Sequence, residues 1–201
     1  IIVFLVVVYR LNTRWDRERI KPVSLVEVTR QAFESKIALL EPEPGAKTFN
    51  SLNAGNQRIP GFTIDYPATW SARLIYQAKD SVDPLAVLFS PANPSEECIR
   101  LWQSNDNMPI LEVKNYNLFM LEKPGVPYLT KFDAIGTDVE TTLDKMDVLV
   151  SKMRLVGTNS AELVDNAILV KDNTYSYILR GCLGTAEDIF YRAYKSFKLQ
   201  Y

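Results

Sequence analysis

Residues 61–66, Gly-Phe-Thr-Ile-Asp-Tyr, alternate: Phe62, Ile64 and Tyr66 fall on one side and Thr63 and Asp65 on the other. A period of two is that of a strand with one buried side, here expected at the edge of a sheet. Pro67 lacks an N–H and ends the ladder. Trp70 follows the turn, where its large ring can fold back over the apolar side and close one end of a core. Short apolar runs continue at 72–77, 85–89 and 98–103, separated by turn-forming residues. In the last of these, Ile99 and Leu101 face away from Trp102. Residues 110–121, apolar but irregular, and 128–134 read as further strands. Runs at 161–171 and 174–183 flank Asp172-Asn173, a two-residue connection suited to a tight hairpin.

Three stretches carry the helical period. After Pro22, residues 23–40 place Leu25, Val28, Ala32, Phe33, Ile37 and Leu40 at spacings of three and four, which predicts an amphipathic helix. Glu41-Pro-Glu-Pro-Gly45 stops it, and 46–60 reads as a linker or extended arm, with the compact unit beginning near Arg58. Thr137-Asp-Val-Glu140 has the form of a capping box, and Val139, Leu143, Met146 and Val150 extend it into a predicted helix over 137–152. Thr185-Ala-Glu-Asp188 opens a last helix with Ile189, Phe190, Ala193 and Phe197 on one stripe and Arg192, Lys195 and Lys198 largely away from it. Many strands with helices inserted late predict an α+β fold, a mainly antiparallel sheet covered by helices. The domain reading is 1–21, 22–60 (helix and linker) and 61–201 (globular domain).

The first segment is the most apolar. Residues 1–9, IIVFLVVVY, cover about half of a ~30 Å hydrocarbon core at ~1.5 Å per helical residue. They read as the C-terminal half of a membrane helix, with Ile1, Phe4 and Val8 among the lipid-facing anchors. Arg10, Arg14, Arg17, Arg19 and Lys21 follow among Asp16 and Glu18, a basic collar at the headgroups with Trp15 in the interfacial belt. By the positive-inside rule this collar places the main domain on the inner face.

Composition narrows the chemistry. Twenty-three Lys and Arg against 24 Asp and Glu leave a net charge of −1, and no basic stripe is interleaved with aromatics, so no nucleic acid is expected as a partner. Histidine is absent, which removes the commonest general base and metal ligand and weighs against a hydrolase. Cys98 and Cys182 lie in no CxxC spacing, so no metal site is expected; they are either a disulfide or two small buried residues. Asp138, Glu140, Asp144 and Asp147 fall on the solvent side of the predicted helix. Gly181-Cys-Leu-Gly184 lacks a P-loop lysine and no SxxK motif occurs. No catalytic group and no cofactor are expected.

The stretch Gly61-Phe-Thr-Ile-Asp-Tyr-Pro-Ala-Thr-Trp70, the run of short strands, the helix expected after the Gly136-Thr137 turn, the hairpin and a closing helix ending Tyr194-Lys-Ser-Phe197 together resemble the Mog1/PsbP-like family over roughly 59–199. Phe62, Ile64, Tyr66, Pro67, Trp70 and Phe197 carry the resemblance. It implies an α-β-α sandwich used as a binding module. In that family PsbP is an extrinsic lumenal subunit of photosystem II that helps retain calcium and chloride, and Mog1 binds the GTPase Ran. The membrane-like N-terminus and the lack of histidine depart from PsbP, so no ion-retaining residue carries over. The expectation is a non-catalytic, membrane-anchored accessory or assembly subunit of a larger membrane complex, with a photosynthetic complex of the thylakoid as one setting. Its partners are membrane protein subunits and, through the N-terminal helix, lipids. The resemblance and a possible Cys98–Cys182 bridge favour a lumenal or periplasmic domain, against the basic collar. A pilin-like subunit of an extracellular filament is the alternative; the visible apolar run is shorter than a pilin's, and no glutamate stands near its start.

Overall fold

The apolar runs and the two-residue turns between them set the strand order. In the computed structural model, which describes residues 25–54, 60–76, 84–92, 97–104, 109–110, 132–155 and 163–200, the elements in chain order are α1 (Leu25–Ala38), β1 (Lys47–Asn50), a 3-10 turn (Ser51–Ala54), β2 (Gly61–Tyr66), β3 (Trp70–Tyr76), β4 (Pro84–Pro91), β5 (Ile99–Ser104), β6 (Phe132–Leu143), β7 (Met146–Leu155), β8 (Leu163–Lys171), β9 (Tyr175–Gly181), α2 (Glu187–Ser196) and β10 (Lys198–Gln200). Seven strands form one sheet in the order β3-β4-β5-β9-β8-β7-β6, and three form a second, β1-β2-β10. Every pairing is antiparallel. The outcome is α+β, as the patterning predicts.

The 61–66 strand forms with the expected alternation, and Phe62 and Ile64 are fully buried. It is the centre of its sheet, however, and not an edge: β1 pairs on one side (Phe49↔Ile64) and β10 on the other (Leu199↔Phe62). β1 comes from the stretch expected to be a linker. α1 also packs against β6 and α2, so residues before Arg58 share the main core. Phe62 stacks on Phe197 with ring centroids 5.3 Å apart and meets Tyr177 edge-on at 6.0 Å, which joins the small sheet to the large one.

The segment 137–152 corrects the sequence reading: it is the β6–β7 hairpin and not a helix. Asp144 and Lys145 both adopt positive φ, 48° and 62°, the backbone of a type I′ turn, whose twist matches that of the flanking strands. Val139, Leu143, Met146 and Val150 sit symmetrically about that turn, so their helix-like spacing is also that of two cross-strand pairs, Leu143↔Met146 and Val139↔Val150. The β-branched residues on both arms favour the pleated state. The second hairpin forms as expected, with Asp172 and Asn173 at φ 52° and 53°.

One side of the large sheet carries Val87, Ile99, Leu101, Val148, Val150, Ala167, Leu169, Tyr177 and Leu179, covered by the small sheet, α1 and α2 in one core. The opposite side carries Leu149, Ile168, Val170 and Ile178, with Trp102 and Ile110 against them. Both described helices lie on one side of the sheet, and Ile110, against the opposite side, is helical. The expected strand at 110–121 lies outside the described residues except for Ile110. So do the N-terminal anchor and collar, including Ile1, Phe4, Val8 and Trp15; no described helix is long and apolar enough to cross a membrane.

Candidate functional site

The turn that follows β2 lines a groove. Trp70 N–H donates to the Pro67 carbonyl at 2.9 Å and closes the turn, and Trp70 and Pro67 are buried while Tyr66 is half-buried. The Ser196 hydroxyl accepts the Asp65 N–H at 2.8 Å and donates to the Ala193 carbonyl at 2.8 Å, fastening the last turn of α2 to β2. Lys195 donates to the Ala38 and Leu40 carbonyls at 3.1 and 2.8 Å. It thereby satisfies carbonyls that the end of α1 leaves without helical partners. The chain then turns through Gly45 at φ 73°, with Ala46 N–H donating to Glu43 C=O at 3.0 Å.

Between these elements lies a groove of about 240 Å³. Glu41, Pro42, Glu43, Asp65, Tyr66, Pro67, Arg192, Ser196 and Lys198 are among the residues that line it, and Arg192 pairs with Asp188 at 3.1 Å. Small-molecule pockets run from ~300 Å³ upward and are mostly apolar. A smaller groove with charged side chains among its lining suits one or two side chains of a protein partner better than an enclosed ligand.

A second polar group ties the helices to the sheet. Lys152 Nζ lies 2.9 Å from Asp165 Oδ1 and 2.9 Å from Glu187 Oε1, and Lys36 pairs with Glu187 at 2.6 Å. Tyr191 OH donates to Asp165 at 2.9 Å. Burial pushes the Lys152 ammonium down, but its hydrogen bonds to Glu187 and Asp165 outweigh burial and raise it. Hydrogen bonds from Lys152 and Lys36 hold the Glu187 carboxyl below its ordinary value. Burial first, and Asp165 beside it, push the Tyr191 phenol up. A protonated lysine between two carboxylates is a clamp across α1, α2, β7 and β8.

A carboxylate held low in the folded state contributes its stability above the ordinary glutamate range and loses it as pH falls through the folded value. Glu187→Gln should therefore cost about 1 kcal/mol at pH 7. The gap to wild type should begin to close below about pH 4.3. Urea denaturation at pH 7 and pH 3.5 checks this, and a gap independent of pH contradicts it.

On the other side of the large sheet, Arg100, Arg180, Asn166 and Ser151 stand in one cross-strand row. Arg180 is 2% exposed and donates Nε–H to Asn166 Oδ1 at 3.0 Å, with Trp102 against its guanidinium. Burial, then the Arg100 charge, lowers Arg180 to about 10, so it stays charged at neutral pH.

Of the residues singled out in the sequence, Phe62, Ile64, Trp70 and Phe197 lie in the core and Tyr66 and Pro67 line the groove. Cys98 and Cys182 are joined as a disulfide with Cα atoms 5.0 Å apart. Cys182 N–H donates to Cys98 C=O at 2.8 Å, which extends the β5–β9 ladder one pair beyond Ile99↔Gly181. The Thr185 hydroxyl accepts from both cysteine N–H groups, at 3.1 and 3.2 Å, and donates to Cys98 C=O at 2.8 Å. The row of Arg180 and Asn166 and the clamp at Asp165 did not come out of the sequence reading. Their signal was there: charged and amide residues inside apolar strand runs, LVDNAILV and YSYILRG, where burial demands a partner.

No family model matches the sequence, and no curated protein matches it. Among solved structures the chain is similar to a protein of Bacteroides thetaiotaomicron, at 11% identity and TM-score 0.46 over 78% of this chain; it spans about half (49%) of that protein's length. It is also similar to the cyanobacterial PsbP (CyanoP) of Synechocystis, at 15% identity and TM-score 0.48, over 78% of this chain and 93% of that one. The chain's own strand pairings and packing define its α+β architecture.

Proposed function

We propose that the protein is a non-catalytic, membrane-anchored accessory or assembly subunit of a larger membrane complex, holding a partner subunit in the groove beside the Tyr66-Pro67 turn. The observation that carries the reading is the groove's mixed charge: Glu41, Glu43 and Asp65 line it together with Arg192, Lys195 and Lys198. Such a surface recognises a segment bearing both charges and suppresses wrong partners by like-charge repulsion. The apolar run at 1–9 and its basic collar supply the anchor in this reading. A thylakoid setting, with the domain in the lumen, is the version the family resemblance suggests.

Glu41 is exposed and Glu43 half-buried, and both lie outside the hydrophobic core, so they can be reversed without disturbing it. Glu41→Lys/Glu43→Lys in the complete gene product should leave the melting temperature within about 2 °C. It should also shift the protein from the position of a large complex to that of the free chain on native gels of solubilised membranes. Unchanged migration of the double variant contradicts the groove as the partner site.

A further inference from the structure

We draw no further inference here: the strongest candidate, the cross-strand row of Arg100, Arg180, Asn166 and Ser151 on the side of the large sheet opposite α1 and α2, carries nothing, because both arginines already have partners within the chain.

Discussion

Phe62→Ala should destabilise the protein by about 3–5 kcal/mol, the range for removing a buried phenylalanine. Phe62 is fully buried at the centre of the three-stranded sheet. Its ring meets Phe49 at 5.8 Å, Phe197 at 5.3 Å and Tyr177 at 6.0 Å, so it touches β1, the end of α2 and β9 at once. Truncation leaves a cavity where three elements converge, and the backbone around it is pinned: the Ser51 hydroxyl accepts the Phe62 N–H at 2.7 Å and the Tyr177 hydroxyl donates to Pro60 C=O at 2.8 Å. Thr63→Ala, on the other side of the same strand, should cost less than about 1 kcal/mol. Urea denaturation of both variants checks the contrast. A loss below about 1 kcal/mol for Phe62→Ala would show that the small sheet is not packed through this ring.

Replacing both bridged cysteines, Cys98→Ser/Cys182→Ser, should cost about 2–4 kcal/mol. The bridge closes a loop with a sequence separation of 84, long enough for the constraint on the unfolded chain to be large. It also sits at the end of the ladder between β5 and β9, neighbours near the middle of the large sheet, where β5 begins and β9 leads on to α2. The Thr185 hydroxyl bonds keep the two strand ends together after the bridge is lost. The variant should therefore fold with the same circular dichroism and unfold at lower urea. Wild type treated with dithiothreitol should match it. A reductant that leaves wild-type stability unchanged contradicts a bridge that contributes to stability.

The parts of the fold legible in the sequence are those where local pattern and tertiary context agree. β2 announces itself because Phe62 and Ile64 face a core while Thr63 and Asp65 do not. The β8–β9 hairpin is legible because Asp172-Asn173 supplies a turn that few other dipeptides accept. The β6–β7 hairpin was hidden because Asp144-Lys145 is a less familiar turn pair and its cross-strand partners mimic a helical period. β1 was hidden because Lys47–Asn50 is four residues long with only half-buried or exposed positions; its strand state comes from pairing with β2 and from Lys47 donating to Trp70 C=O at 2.9 Å. On α2 the predicted stripe captured Phe190, Ala193 and Phe197, but Tyr191 and Tyr194 are as deeply buried. α1 docks beside them through Phe33 at 5.5 and 6.1 Å, a contact invisible without the fold. The groove has the same history: Glu41, Arg192 and Asp65 are far apart in sequence and meet only because Ser196 and Lys195 fasten three elements together.

The proposed role of the chain is to hold a partner at a membrane. The measurement that tests it most directly is the behaviour of the complete gene product at natural abundance in its own cells: sedimentation with the membrane fraction, followed by native electrophoresis after mild solubilisation. That role predicts recovery in the membrane fraction and comigration with a complex several times larger than a dimer of this chain. Recovery in the soluble fraction as a species no larger than a dimer contradicts it.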